Sequence, residues 1–381
     1  MTLKVLIVYL FFFPMLIARR RKRSSSAKKI LYIRLDRFGD MVLTLPTLSI
    51  LRKYYPAAEL TVLCSPSGAV VLNTQPNLVD NVIVWNGIWD MHGGLILNAK
   101  HFFLILGKIY QLRKNSYDYV FQPVSLGIWT LLATSLRADR VVARVDKNLL
   151  LPRLLINFVD NAVVINERGR DVHVMRQNLE CAFSSGIKKV DLEPLTLAHR
   201  NVAVQNFSID LSEKLIFNVS AGDPVRQLPI DVAAKLTEKI LSSFNHLGVV
   251  LIGVSNDSTY AADLFAKFPE RVENCVGQTN VDDLIYIFKK APLLVTSDTG
   301  SMHLAAMTDI HIVAYFTAGS LRHFAPVTDN CTIIQHELGC SGCGDMCFTE
   351  EMPKPCMAAI TADELFDAVS AVLESKKVAA G

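Results

Sequence analysis

The stretch ILYIRLDRFGDMVLTLPTLSILRKYYP, Ile30 to Pro56, begins as a strand and ends as a helix. Ile30–Ile33 is an uninterrupted apolar run of the kind buried on both faces of a parallel sheet. From Met41 to Tyr55 the apolar residues recur every three to four positions, which predicts one amphipathic helix. Between them lies a charged turn, Asp36-Arg37-Phe38-Gly39-Asp40. Asp40 falls in the first helical turn, where a carboxylate is favourable with the helix dipole, and that could be its whole role. A carboxylate at a strand end can also act as general base on a hydroxyl. Asp36 is placed to pair with Arg34 or Arg37 and hold the loop.

The same strand-then-helix pattern extends outward from this unit. AELTVLCSP, NVIVWN, YDYVFQP and RVVARV read as further strands, with a helix near Ala69–Thr74 and another over 171–187 that ends at Gly186. A polar, proline-containing connector then runs to about Arg200, and the pattern restarts. KLIFNVS, GVVLIGV, PLLVTS and HIVAYF are strands; IDVAAKLTEKILSSF, VDDLIYIFKKA and GSMHLAAM are helices. The expectation is α/β: two Rossmann-like, doubly wound domains over 29–195 and 196–381. Neither G-x-G-x-x-G after a first strand nor G-x-x-x-x-G-K-[ST] occurs. Ligands in such folds sit at the carboxyl ends of strands, so the turns there carry the functional reading.

With 381 residues, half of them apolar and a fifth charged, the chain is globular. Its formal charge of +3 is a local effect. Residues 1–29 hold eight basic residues and no acid, leaving 31 basic against 36 acidic residues elsewhere. The body is mildly acidic, which argues against nucleic acid as a partner. Val5–Ala18 is an apolar run of 14 residues followed by Arg19-Arg20-Arg21-Lys22-Arg23. The charge follows the apolar run instead of preceding it, unlike a secretory signal. The run is shorter than the ~20 residues that span a bilayer comfortably. A tilted span, a re-entrant anchor or an interfacial helix would each fit, with the basic cluster on the cytoplasmic side. The bland alternative is a mis-assigned start, with the protein beginning near Lys28 and lying in the cytoplasm.

Two turns in the second half stand out. In LLVTSDTGSMHLAAM a strand ends at Ser297 and a helix starts within Asp298-Thr299-Gly300, a place suited to an anion such as phosphate. Thr299 adds a hydroxyl, Gly300 lets a ligand approach, and His303 lies one turn in. Taken alone, the same residues are an ordinary helix cap with a packed histidine. In FNVSAGDPVRQLP, Arg226 could clamp a diphosphate through bidentate hydrogen bonds or be a plain surface arginine.

Together these segments resemble glycosyltransferase family 9, the heptosyltransferases of the lipopolysaccharide inner core. The resemblance is carried by Ile30–Cys64 and by LLVTSDTGSMHLAAMTDIHIVAYF, with SAGDPVRQLP and LIGVSNDS between them and CSGCGDMC…CMAAIT behind. It covers about Lys29 to Val372. It implies a GT-B-type fold of two facing domains with the active site in the cleft, and inverting, metal-independent sugar transfer without a cofactor. The partners it implies are a nucleotide-sugar donor, ADP-heptose above all, and a lipid-linked glycan acceptor at the cytoplasmic face of the bacterial inner membrane. Residues 1–28 would then touch the membrane surface. By resemblance Asp40 is the general base, with Asp36, Arg37 and Gly39 in the acceptor-side loop. Arg226 takes a position usually held by lysine, neutralising the leaving diphosphate. Thr299 and Gly300 match the phosphate turn, Asp298 the sugar-facing carboxylate and His303 the adjoining histidine. Asp257 falls near the ribose position and Thr279 near the adenine.

The chain departs from the family at Arg226, at Leu228 where a tryptophan is usual, and in the loop TAGSLRHFAP. These departures leave room for a different nucleotide hexose used in surface-glycan or capsule assembly, or for a catalytically silent membrane-bound member. Retention of Asp40, Arg226 and the D-T-G turn argues against silence. No Asp-x-Asp pair of the metal-dependent transferases occurs. Cys340, Cys343, Cys347 and Cys356 form a C-x2-C-x3-C-x8-C run, a weak candidate for a structural metal and otherwise a set of free thiols.

Overall fold

A computed structural model describes residues 2–18, 27–86, 99–165, 172–188, 210–222, 226–343 and 352–380. The chain divides into two compact units, Met1–Leu195 and Thr196–Gly381.

The first unit opens with α1 (Thr2–Ile17), β1 (Lys29–Arg34), α2 (Phe38–Val42) and α3 (Leu45–Tyr54). Then come β2 (Glu59–Cys64), α4 (Pro66–Asn73), β3 (Asn81–Val84), α5 (Ala99–Leu112) and β4 (Tyr117–Gln122). It closes with α6 (Gly127–Thr134), β5 (Ala138–Asp146), α7 (Leu150–Leu155), β6 (Asn161–Ile165) and α8 (Val174–Ser184). Its six strands run parallel in the order β3-β2-β1-β4-β5-β6. The helix expected over Met41–Tyr55 is two helices. Pro46 sits at the start of α3 and has no N–H to donate to the carbonyl of Val42, so the helix cannot run through. Gly186, with φ of 101°, ends α8 in the left-handed region that glycine tolerates best.

The core of this unit joins Leu31 and Ile33 of β1 to Val120, Val141 and Ala143 of the neighbouring strands and to Ile105 and Ile109 of α5. It also takes in Val8, Phe12 and Leu16, one helical stripe of α1. The Arg113 guanidinium donates to the Met15 carbonyl at 3.4 Å, serving one of the carbonyls that a helix end leaves open. The 14-residue apolar run therefore folds onto the body on one side. Sixteen helical residues rise only about 24 Å. Among the described residues no helix is long and apolar enough to cross a membrane.

The second unit starts with β7 (Lys214–Asn218), α9 (Ile230–Ser243), β8 (Gly248–Ile252), α10 (Ser258–Lys267) and β9 (Val272–Asn274). Next are α11 (Val281–Lys290), β10 (Leu293–Ser297), α12 (Gly300–Ala305) and β11 (His311–Phe316). It ends with α13 (Leu321–Phe324), β12 (Cys331–Gln335), α14 (Pro355–Ala358) and α15 (Ala362–Ala380). The parallel order is β12-β11-β10-β7-β8-β9, the same winding as the first sheet. Leu215, Phe217, Val249, Val295 and Val313 face Leu236 and Ile240 of α9 and Leu365, Val369 and Leu373 of α15. In each sheet the strand order reverses at the centre, between β1 and β4 and between β7 and β10. Turns leaving those strands diverge there and open a crevice for ligands.

Candidate active site

In the first unit the charged turn leaves β1 at this reversal. Arg34, the last residue of β1, is 3% exposed, and its burial needs compensation. Its Nε lies 2.8 Å from Asp36 Oδ2, its Nη2 3.1 Å from Asp40 Oδ1, and its Nη1 donates to Asn178 Oδ1 at 3.0 Å. Asp36 thus pairs with Arg34, one of the two partners expected. The second Asp40 oxygen accepts from the Arg37 backbone N–H at 3.2 Å, so both oxygens are oriented while the side chain stays 19% exposed. Burial pushes the Asp36 carboxyl up to about 7, with Arg34 opposing the rise and the Asp40 charge adding to it. Gly39 is buried and Arg37 exposed.

Asn178 arrives from α8, its amide donating to the Leu43 carbonyl and the Thr44 hydroxyl, each at 3.1 Å. It therefore locks the α2–α3 break and the Arg34 guanidinium at once. Ser65, just beyond β2, donates to the Asp36 carbonyl at 2.7 Å. Neither residue was identified from the sequence; only a polar residue on the buried face of α8 hinted at Asn178.

In the second unit β7 and β10 are neighbours, and the residues at their carboxyl ends touch before the chains part. Asn218 ends β7, is 2% exposed, and directs its amide at three hydroxyl oxygens: Thr296 at 3.0 Å, Thr299 at 3.1 Å and Ser301 at 2.8 Å. Thr299 and Ser301 are 2.9 Å apart. Arg226 Nη1 reaches to 3.5 Å from Asp298 Oδ2, and these side chains are 13% and 7% exposed. Arg226 is therefore no surface arginine; it is aimed at the D-T-G turn. Gly300 opens α12, and His303 is buried within it beside the Phe324 ring. Asn218, Thr296 and Ser301 are additions to the expected set. A buried asparagine at the carboxyl end of a strand is the signal that could have found the first.

The unusual TAGS loop also has a role. A Cβ on Gly319 would lie 2.1 Å from Asp298 Oδ2, so this backbone closes over the carboxylate at a distance only glycine permits. Gly319→Ala is expected to push Asp298 off Arg226 and to lower stability by about 1–3 kcal/mol. A thermal melt together with an ADP titration checks this; a variant identical to wild type in both would disprove the close packing.

On the other side of β7, the two turns after β8 and β9 converge. Asp257 accepts from Ser220 Oγ on one oxygen and from Gln227 Nε2 on the other at 3.1 Å. Gln227 and Asp257 thereby fix the chain beside Arg226, as does Tyr260 by donating to the Leu228 carbonyl at 2.9 Å. Leu228 itself is buried in the core. Gly277, φ 74°, donates its N–H to the Gly253 carbonyl at 2.9 Å. This turn brings Thr279, half-buried before the Asn280 cap of α11, to the end of the sheet where Asp257 lies. The six second-unit residues Arg226, Asp257, Thr279, Asp298, Thr299 and Gly300 all lie in turns leaving β7, β8, β9 or β10.

Among the described residues no group of three or more His, Cys, Asp or Glu could hold a metal ion. Cys340 and Cys343 are half-exposed and Cys356 is buried, while Cys347 lies outside the described residues.

Two parallel six-stranded sheets of identical winding, each with its polar turns at the central reversal, define the GT-B class of glycosyltransferases. The chain belongs to glycosyltransferase family 9 (heptosyltransferase), whose sequence model matches residues 158–352. Lipopolysaccharide heptosyltransferase 3 of Escherichia coli K12 is 23% identical over 317 residues, covering 79% of this chain and 85% of that protein. Lipooligosaccharide heptosyltransferase 2 of Haemophilus influenzae is 27% identical over 132 residues, but that match spans only 33% of this chain and 38% of the relative. The solved structure of E. coli heptosyltransferase WaaC with ADP-2-deoxy-2-fluoro heptose superimposes with a TM-score of 0.65 at 17% identity. That superposition covers 90% of this chain and 99% of WaaC.

Proposed function

We propose that the chain transfers a heptose from ADP-heptose to a hydroxyl of a lipopolysaccharide-core glycolipid. The observation that carries the reading is that Arg226 pairs with Asp298, next in sequence to the Thr299/Ser301 hydroxyls that Asn218 gathers at the strand reversal of the second unit. A half-buried guanidinium aimed at a turn of hydroxyls is suited to a diphosphate. The ADP-heptose analogue bound by WaaC and the names of the two relatives favour this donor and this acceptor class.

In the proposed reaction Asp40 takes the proton of the acceptor hydroxyl. The oxygen forms a new bond to the anomeric carbon, and the bond from that carbon to the β-phosphate oxygen breaks. The electron pair leaves with the diphosphate, whose new charge meets Arg226. One displacement inverts the anomeric centre, and fixed protein charge does the work of a divalent metal. Asp257 and Thr279 would meet the nucleoside, and Asp298 and His303 the sugar. The reaction is placed at the cytoplasmic face of a bacterial inner membrane, where a nucleotide sugar from the cytoplasm and a lipid-borne acceptor meet.

The test is donor turnover by the full chain with ADP-heptose and a panel of UDP-, GDP- and ADP-hexoses, each with a lipopolysaccharide-core acceptor. Transfer from ADP-heptose with inverted anomeric configuration, insensitive to EDTA, is expected. Transfer from a hexose donor alone would move the protein to another glycan, and no transfer from any donor would refute the reading.

A further inference from the structure

We infer that the outer faces of α1 and α5 together form a docking surface for an anionic phospholipid bilayer, lying in its interface and not crossing it. The packing of α1 divides its apolar residues into two stripes. Val8, Phe12 and Leu16 are buried in the first unit, 6% exposed or less. Leu6, Leu10, Phe13 and Ile17 follow the spacing i, i+4, i+7, i+11 on the opposite side, at 38–63% exposure. Ile7 and Phe11 widen that stripe, at 58% and 49%. A helix that is apolar all round has both sides in an apolar medium, yet only one side of α1 is covered by protein.

The surface continues onto α5. Phe103 and Tyr110, spaced i and i+7, are 66% and 69% exposed, and Leu104 is 40% exposed. The two helices share one aromatic seam: the Phe103 ring lies 5.7 Å from Phe102, and Phe102 lies 4.9 Å from Phe11. The outcome is an apolar surface that runs from α1 onto α5 of the folded body. Monomeric proteins seldom leave such an area to water.

Charge selects the occupant. Neither α1 nor α5 contains an acidic residue. The carboxyl end of α1 is held by Arg113, with Lys114 next in sequence and Arg137 close enough for its charge to act on Arg113. In sequence, Arg19–Arg23 follow α1 directly. An apolar face rimmed by cations at one end matches acyl chains beneath anionic headgroups. A second copy of the chain would offer these cations no acidic residue from α1 or α5. The inference stands apart from the transfer reaction, because lipid binding is read without donor or acceptor.

The experiment is co-sedimentation of the full chain with vesicles of phosphatidylcholine alone or mixed with phosphatidylglycerol. Wild type is expected to bind the mixed vesicles and to bind the neutral ones about tenfold more weakly. Leu10→Glu on α1 and Phe103→Glu on α5 should each weaken binding by about tenfold or more, with melting temperatures unchanged because both side chains are exposed. Val327→Glu, an exposed apolar position in the second unit, should bind as wild type does. Should Leu10→Glu fail to fold, Ile17→Glu makes the same test. Wild-type binding by Phe103→Glu would overturn the composite surface, leaving α1 alone as the contact. The inference also fails if wild type ignores both vesicles, or forms a dimer that the same substitutions dissociate while no vesicle binding is seen.

Discussion

Replacing Asp40 by Asn is expected to lower kcat/KM by about 10²–10⁴-fold, the range for loss of a positioned general base. The carboxylate is well prepared for that task. Arg34 and the Arg37 N–H fix both oxygens, so little reorganisation is needed when the acceptor hydroxyl arrives. The amide cannot copy this arrangement. In either flip, its NH2 faces the Arg34 guanidinium or the Arg37 N–H, donor against donor. Asp36→Asn is the contrast: it leaves the Arg34–Asp40 pair in place. Burial already pushes Asp36 up to about 7, so near neutrality an amide resembles a form it adopts in part. Its loss should stay within about tenfold. Parallel kinetics of the two variants, with ADP affinity measured as a control, decide the assignment. Activity of Asp40→Asn within tenfold of wild type would remove Asp40 from the mechanism.

Arg226→Ala is expected to reduce kcat by about 10²–10³-fold, comparable to deleting an oxyanion-hole donor. The guanidinium does two things that alanine cannot. In the proposed reaction it would neutralise a diphosphate whose charge grows as the anomeric bond breaks, and it offsets Asp298, whose side chain is only 7% exposed. Without it, the donor would meet the Asp298 carboxylate with one cation fewer beside it, so KM should rise as kcat falls. Arg226→Lys keeps the charge but gives up the planar fork, and recovery to about tenfold below wild type is expected. A steady-state split into kcat and KM, alongside the ADP dissociation constant, separates these effects. Weaker ADP binding with unchanged kcat would mean that Arg226 holds the ground state only.

Much of the architecture is legible in short runs of three or more consecutive apolar residues. ILYI, TVLC, LIFN, VVLI and LLVT announce the central strands because a parallel strand buried on both faces has no polar side to interrupt it. β6 is harder to read: Asn161–Ile165 is mostly half-buried at the sheet edge, and its composition carries no such constraint. The break between α2 and α3 hinges on one proline inside a pattern whose periodicity continues across it. At the candidate site, Asp40, Arg226 and the D-T-G turn stand out as charged and hydroxyl residues at strand ends, but only the family resemblance gives them roles. Asn178 lies 144 residues from Arg34, and no local pattern predicts that meeting. Gly319 is similarly hidden, since its importance comes from the approach of a distant aspartate. The far side of α1 looked like its near side, because an all-apolar helix has no periodic contrast to show which stripe the protein covers.

The hydroxyl cluster at Asn218 has a consequence in proton count. Its amide has two hydrogens to share among the Thr296, Thr299 and Ser301 oxygens within its reach, and each of these oxygens owns one hydrogen. Thr296 directs its hydrogen to the Ser297 carbonyl at 3.0 Å. One of the other two is used between Thr299 and Ser301, and rotation decides which. If Thr299 donates to Ser301, the Ser301 hydrogen is left over; if Ser301 donates, the Thr299 hydrogen can turn to Thr296 Oγ1, 3.3 Å away. The turn can thus present a hydroxyl hydrogen to an incoming anion from Ser301 or from Thr299, depending on how the rotors are set. A leaving group could be followed through its departure by a relay of two rotors, without a side chain changing place.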